Sequence, residues 1–277
     1  MKILYSAALA AACLIAAHGS CAQTAPAFTW PNGARAAVTL GYDDAIDSQL
    51  DHAIPTLDKY GVKGTFFLQL SNPAVNLRMA AWRKAAAHGH ELGNHSLFHQ
   101  CSSSQPDRAW VQPQRDLDTT SAAQMVDQVN LANTMLYAID GKRERTYTVP
   151  CGDHLAAGGK DYLPALMGQF VAMKVGPASG AQASMRGFDP YAVNAVVPVG
   201  QSGAQLIEMV KQAAAKGTMI SFTFHGIGGD YLENSAQAHE ELVKYLAENR
   251  KLYWTDTFLN VMKYVKAKTL PMRAADR

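Results

Sequence analysis

From about residue 28 onward, short apolar runs alternate with amphipathic stretches of helical period, and this alternation constrains the fold more than any other feature. Residues 35–41 (RAAVTLG), 62–70 (VKGTFFLQL), 146–149, 171–175, 218–224 (TMISFTF) and 252–255 read as strands. Residues 46–60, 79–88, 119–139, 202–215, 235–249 and 257–266 read as helices, several stopped by a glycine at position 61, 89 or 141. Strands separated by helices call for a parallel sheet covered by helices, either open or closed into a barrel. No repeat, low-complexity linker or composition break divides the chain, so a single domain over residues 23–277 is expected. The 277 residues, 48% hydrophobic and 17% charged, exclude a disordered or collagen-like chain. With 25 Lys+Arg against 23 Asp+Glu and no basic stripe, nucleic acid is not an expected partner.

The first 22 residues stand apart. Lys2 precedes an apolar run over 3–17 and then the small residues Ser20-Cys21-Ala22, the order of a secretory signal cut after Ala22. The run is mostly alanine and, at roughly 15 residues, short for a membrane span of about 20. Lipidation of Cys21 is disfavoured by His18, which occupies a position where such signals carry an aliphatic residue. The expected product is periplasmic or secreted, without a membrane span. Its oligomeric state is unspecified. Cys13 and Cys21 leave with the signal, so Cys101 and Cys151 remain as a candidate disulfide in an oxidising compartment, with two buried thiols as the alternative.

In parallel α/β folds chemistry collects at the carboxyl ends of the strands. Three such places stand out. Asp43 and Asp44 follow the first strand, and two adjacent carboxylates repel unless a cation or proton intervenes. His95 and His99, four apart in HELGNHSLFH, would face one side of a helical turn and suit a divalent metal; with an Asp they make a His-His-carboxylate set with open positions. His225 ends the strand TMISFTF ahead of a glycine-rich loop, a position for a general acid. Each also has a bland reading: a capped turn for the Asp pair, a structural histidine for the others.

Taken in order, TLGYDD, HSLFH, VPCG and SFTFHG resemble four of the motifs of the polysaccharide deacetylases, the last of them the late Leu-x-His motif, in the NodB homology domain of carbohydrate esterase family four, across residues 35–266. The resemblance implies a distorted (β/α) barrel of about seven strands and metal-assisted removal of acetyl from an N- or O-acetylated saccharide. It casts Asp43 as the base, Asp44, His95 and His99 as ligands of one divalent metal (zinc foremost, with cobalt, iron or nickel as alternatives), and His225 as the acid. The backbone N–H of Cys151, after the motif proline, would contribute to the oxyanion site.

The chain departs from the family pattern at two motifs. Thr148 stands where the third motif has an arginine that orients the base, and Cys151 replaces the usual aromatic. Arg143 and Arg145 are nearby. The fourth motif is not evident; residues 186–191 (RGFDPY) are its best candidate, with Asp189 as partner of His225 or, alternatively, the opener of a turn before Pro190. A Cys101–Cys151 bridge would pin two loops at the site's rim and compensate for the lost arginine. Trp110, Tyr162, Tyr191 and Tyr231 are candidate sugar-stacking residues. Two other functions fit the same residues: another hydrolase on this scaffold, of deformylase or cyclic-imide type, or a non-catalytic sugar-binding relative.

Overall fold

The computed structural model describes residues 28–275; the secretory signal expected at 1–22 lies outside them. Ten strands and seven α-helices follow in order. β1 (Ala36–Asp43) leads through a π turn (Gln49–Ala53) into α1 (Ile54–Tyr60), then β2 (Thr65–Leu68), α2 (Pro73–Leu77), α3 (Met79–Ala87) and β3 (Glu91–Asn94). Next come α4 (Ala122–Asp140), β4 (Thr146–Thr148), a small hairpin of β5 (Leu155–Ala156) and β6 (Lys160–Asp161), then β7 (Ala172–Pro177) and β8 (Val193–Ala195). α5 (Gly203–Lys216), β9 (Met219–Phe224), α6 (Ala236–Glu248), β10 (Tyr253–Thr255) and α7 (Phe258–Ala275) complete the chain.

Seven parallel strands form a barrel in the order β9-β1-β2-β3-β4-β7-β8. The ring closes between β8 and β9, where Val196 N donates to Ser221 O at 2.8 Å and Thr223 N donates to Val196 O at 2.8 Å. β10 pairs with the first residues of β1, Ala36–Val38, while β2 pairs with Gly41–Asp43 farther along the same strand. β1 and β9 are buried along their whole length, as strands covered on both faces should be. Helices wrap the outside, burying Trp82, Leu136, Leu206, Val210, Leu242 and Leu246. α4 and α5 both begin with reciprocal caps, Ser121 with Gln124 and Ser202 with Gln205, and end on Gly141 and Gly217 with φ of +69° and +67°.

The amino end of the barrel is shut by α7, whose Phe258, Val261, Met262 and Val265 pack with Trp30. Its first N–H groups donate to interior oxygens: Phe258 N to Thr65 Oγ1 and Leu259 N to Glu91 Oε2, each at 2.8 Å. Glu91 also accepts from Thr65 and Thr146 hydroxyls, and burial raises its pKa. Glycine makes room inside. A β-carbon at Gly93 would collide with the Phe67 ring, and one at Gly41 would lie 2.7 Å from Lys174 Nζ.

β3 and β8 were not expected from sequence. β3 is ELGN: its inward residues face a polar barrel interior, so it shows neither alternation nor an apolar run. β8 has only three residues.

Candidate active site

A cavity of about 830 Å³ opens at the carboxyl ends of the strands, within the usual size range of small-molecule sites. Asp43, Asp44, His95, His99, Thr148, Cys151, Lys174 and His225 all line it.

Asp43 is the last residue of β1, and its backbone carbonyl accepts from Gln49 Nε2 at 2.5 Å. The same amide nitrogen donates to His225 O at 3.3 Å, so one side chain of the π turn ties the ends of β1 and β9 together. Asp44 has φ of +80°, a conformation a non-glycine residue holds only when its surroundings enforce it. Asn72 Nδ2 fixes that turn by donating to Asp44 O at 3.0 Å. Left-handed backbone recurs at Ala45, Ser96, His99, Cys151 and Leu232, concentrated on the loops that build the cavity.

The histidine pair reaches its geometry by a different route from the one its spacing suggested. His95 and His99 lie in the loop after β3, not on a helical turn. Asn94 Oδ1 accepts from Ser96 N at 2.7 Å, Ser96 Oγ accepts from His99 N at 3.0 Å, and positive φ at Ser96 and His99 folds the loop back. The rings come to 4.7 Å between centroids. His95 Nδ1 donates to Thr148 O at 2.8 Å, which leaves Nε2 as the lone-pair nitrogen. Both Nε2 atoms lie 3.2 Å from Asp44 Oδ1, and that buried oxygen has no hydrogen-bond partner among the described residues.

An orphaned carboxylate oxygen facing two imidazole nitrogens fits a three-ligand divalent site with open positions, the donor set of catalytic zinc. Burial pushes the Asp44 carboxyl up, but the neighbouring His95, His99 and His225 imidazoles hold it well below the carboxylate range. Burial brings His99 down to about 4. Burial also works against His95, yet Asp43 and Asp44 more than reverse it and raise that imidazole above its ordinary value.

His225 Nε2 lies 3.8 Å from Asp44 Oδ2, across the cavity from the histidine loop. The Cys101–Cys151 disulfide joins that loop to the third motif, with Cα atoms 5.8 Å apart. Cys151 has φ of +57°, and its backbone N–H has no partner among the described residues. Arg108 braces the same turn: a guanidinium nitrogen donates to Cys151 O at 3.4 Å, and the other lies 3.6 Å from Asp153. Trp110, 58% exposed on the rim, stands 5.7 Å from Arg108.

Three sequence assignments fall elsewhere. Asp189 does not reach His225: its carboxylate accepts from Tyr191 N at 2.9 Å, and the adjoining Pro190 O accepts from Met173 N, near the start of β7 and the closed end of the barrel. The short-turn reading of Asp-Pro accounts for it. Tyr191 is drawn to that end too, its hydroxyl accepting from Lys266 Nζ at 2.9 Å. Tyr162 is buried, donating to Asp153 O, and is a packing residue.

Two residues at the site were missed or misread. The Tyr231 hydroxyl, a candidate sugar-stacker, instead donates to Asp44 Oδ2 at 2.8 Å. Lys174 was overlooked, although a lone charge within the apolar run VAMKVG is itself a signal. Arg145 pairs with Asp140 and donates to Leu92 O at 3.1 Å, and Arg143 stacks on Tyr137, so neither touches Asp43.

The family profile described as "Polysaccharide deacetylase" matches residues 30–161. The uncharacterised protein YlxY of Bacillus subtilis is 27% identical over 103 residues, which are 37% of this chain and only 27% of that protein. Among solved structures, a protein assigned as a polysaccharide deacetylase from Mycobacterium smegmatis superposes with a TM-score of 0.62 at 15% identity, covering 88% of this chain and 95% of its own. A mutant of the peptidoglycan deacetylase PdaC from Bacillus subtilis gives 0.50 at 17% identity, covering 87% and 96%. The structural likenesses establish the shared fold, and the profile match spans Asp43, Asp44, both site histidines and Cys151, so residues 30–161 are similar to the polysaccharide deacetylase family, the NodB type of carbohydrate esterase family four.

Proposed function

We propose that the protein is a metal-dependent deacetylase that hydrolyses N- or O-acetyl groups on a saccharide outside the cytoplasm. The observation that carries this reading is the meeting of Asp44 Oδ1, His95 Nε2 and His99 Nε2 beside Asp43, in a cavity that His225 closes from the opposite side. Export is supported by the charged-apolar-small order of residues 1–22 and by the disulfide.

Asp44, His95 and His99 would hold the metal, zinc foremost. A divalent ion there supplies Lewis acidity, lowering the pKa of water and polarising an acetyl carbonyl. Asp43 takes a proton from the attacking water. The N–H of Cys151, which lines the cavity on a left-handed turn and has no partner among the described residues, donates to the developing oxyanion. His225 gives a proton to the departing amine or alcohol. The apolar side of the cavity, Val149, Pro177, Val197 and Leu232, shelters the acetyl group, and Trp110 offers a face for a sugar ring at the rim.

The test is acetate release by residues 23–277, stripped of metal and then given zinc, on acetylated chito-oligosaccharide and acetylated xylan in parallel. Zinc-dependent acetate from either supports the proposal, and the preferred substrate separates amide from ester. Bound zinc with no acetate from both would favour a different hydrolase or a sugar-binding role.

A further inference from the structure

We propose that Lys174 is the positioning residue for Asp43, a cation supplied from β7 that anchors one carboxylate oxygen and leaves the other to face the substrate. The proposal rests on the deacetylase reading for its catalytic consequence.

A buried ammonium is costly unless something holds it. Lys174 is 2% exposed, and three other strands converge on its Nζ. Nζ donates to Thr223 Oγ1 of β9 at 2.6 Å, lies 3.5 Å from Asp43 Oδ1 of β1, and sits 4.2 Å from the centroid of Phe67 on β2. Gly41 leaves the space it fills. Among the described residues, no other lysine or arginine is paired with Asp43. Asp43 Oδ1 has no other partner among the described residues, whereas Oδ2 faces His95 Nε2 at 3.9 Å. Anchored through Oδ1, the carboxylate presents Oδ2 towards the metal-ligand set, where the proton must be taken.

The register explains how this arrangement stands in for the absent arginine. Thr148, at the family's arginine position, is the direct partner of Lys174 across the β4–β7 ladder. Thr148 lines the same cavity, and its buried hydroxyl has no hydrogen-bond partner among the described residues. The cation therefore sits one strand over at the same level of the barrel. Lysine suits the shift because its compact head offers three donor directions from a flexible stem, where a guanidinium fork would need a planar partner.

The test compares Lys174→Met, Lys174→Met/Thr148→Arg and the parent, each as residues 23–277. Lys174→Met should lower kcat for zinc-dependent acetate release by about 10²-fold, the scale of a misplaced catalytic group, with KM and zinc stoichiometry unchanged. Adding Thr148→Arg should recover at least about tenfold of the loss, the equivalent of roughly 1.4 kcal/mol. A kcat within threefold of the parent, or no recovery in a double variant whose circular dichroism matches the parent, would overturn the proposal. A cycle of thermal midpoints in zinc-free protein needs no activity. Asp43→Asn should raise the midpoint when Lys174 is Met but lower it when Lys174 is present; equal shifts in both backgrounds would refute the pairing. A coupled cycle with no acetate from the parent would uphold the pairing while rejecting the deacetylase reading.

Discussion

The Tyr231 hydroxyl donates to Asp44 Oδ2 at 2.8 Å, while Asp44 Oδ1 faces His95 and His99. One carboxylate is thus oriented by a loop beyond β9 and directed at nitrogens from a loop beyond β3. Burial and the Asp44 charge push the phenol pKa well up, so it stays a donor across the working pH range. Tyr231→Phe should weaken zinc affinity by about 10–100-fold, the usual penalty for losing a hydrogen bond that orients a ligand. Competition with a chromogenic chelator measures it. An unchanged zinc Kd would show that the hydroxyl does not orient Asp44.

Removing a ligand and removing the base should have different signatures. Asp44→Ala, His95→Ala and His99→Ala should each lose zinc together with activity. Asp43→Asn should retain zinc and lose turnover by about 10²–10⁴, the range for a positioned acid or base. Metal analysis of the purified variants alongside acetate release separates the two classes, and near-parental turnover in Asp43→Asn would remove it from the base role.

β1 and β9 were readable because a strand covered on both faces is a continuous apolar run. The barrel interior was harder, since Thr146 donates to Glu91 and Lys174 to Thr223 there, and these inward polar residues erase the pattern that marks a strand. Spacing found His95 and His99 but implied a helix; the structure brings them together through left-handed Ser96 and His99, which no periodicity encodes. Asp189 and Tyr191 show the opposite failure. A carboxylate beside an aromatic looks functional, yet which end of a barrel it occupies depends on the length of the preceding connection. Lys174 belongs to neither case: its charge was visible, and only the register with Thr148 gave it a partner at the site.

The Cys101–Cys151 bridge closes a separation of 50 residues between the histidine loop and the Pro150 turn. On the loop-entropy model that closure contributes about 4 kcal/mol. Titration of residues 23–277, denatured without reductant, should find no free thiol. Cys101→Ser/Cys151→Ser should unfold at lower denaturant concentration, and its kcat should fall further than its zinc occupancy, because the bridge carries the backbone that presents the Cys151 N–H. A double variant with parental kcat and a parental midpoint would leave the bridge without a role in either.

Acid should destabilise the fold well above the range where carboxylates titrate. Burial lowers His90 to about 4 and His239 to about 3, from an ordinary 6.5. The geometry agrees: His90 Nδ1 accepts from Gly64 N at 3.1 Å and so must carry no proton, and His239 Nε2 is 2.6 Å from the Tyr42 hydroxyl in the core. Between about pH 6.5 and 4 the unfolded chain binds protons at these positions that the folded chain refuses. Stability therefore rises with pH across that window, by up to about 1.4 kcal/mol per pH unit for each group. Below it the depressed carboxyl of Asp58 adds a further loss, as its folded-state advantage disappears on protonation. Urea midpoints from pH 7 to pH 4 should fall steadily, and His239→Gln should flatten the slope. A midpoint constant between pH 7 and pH 5 in the parent would mean that these histidines are protonated in the folded state as readily as in the unfolded chain.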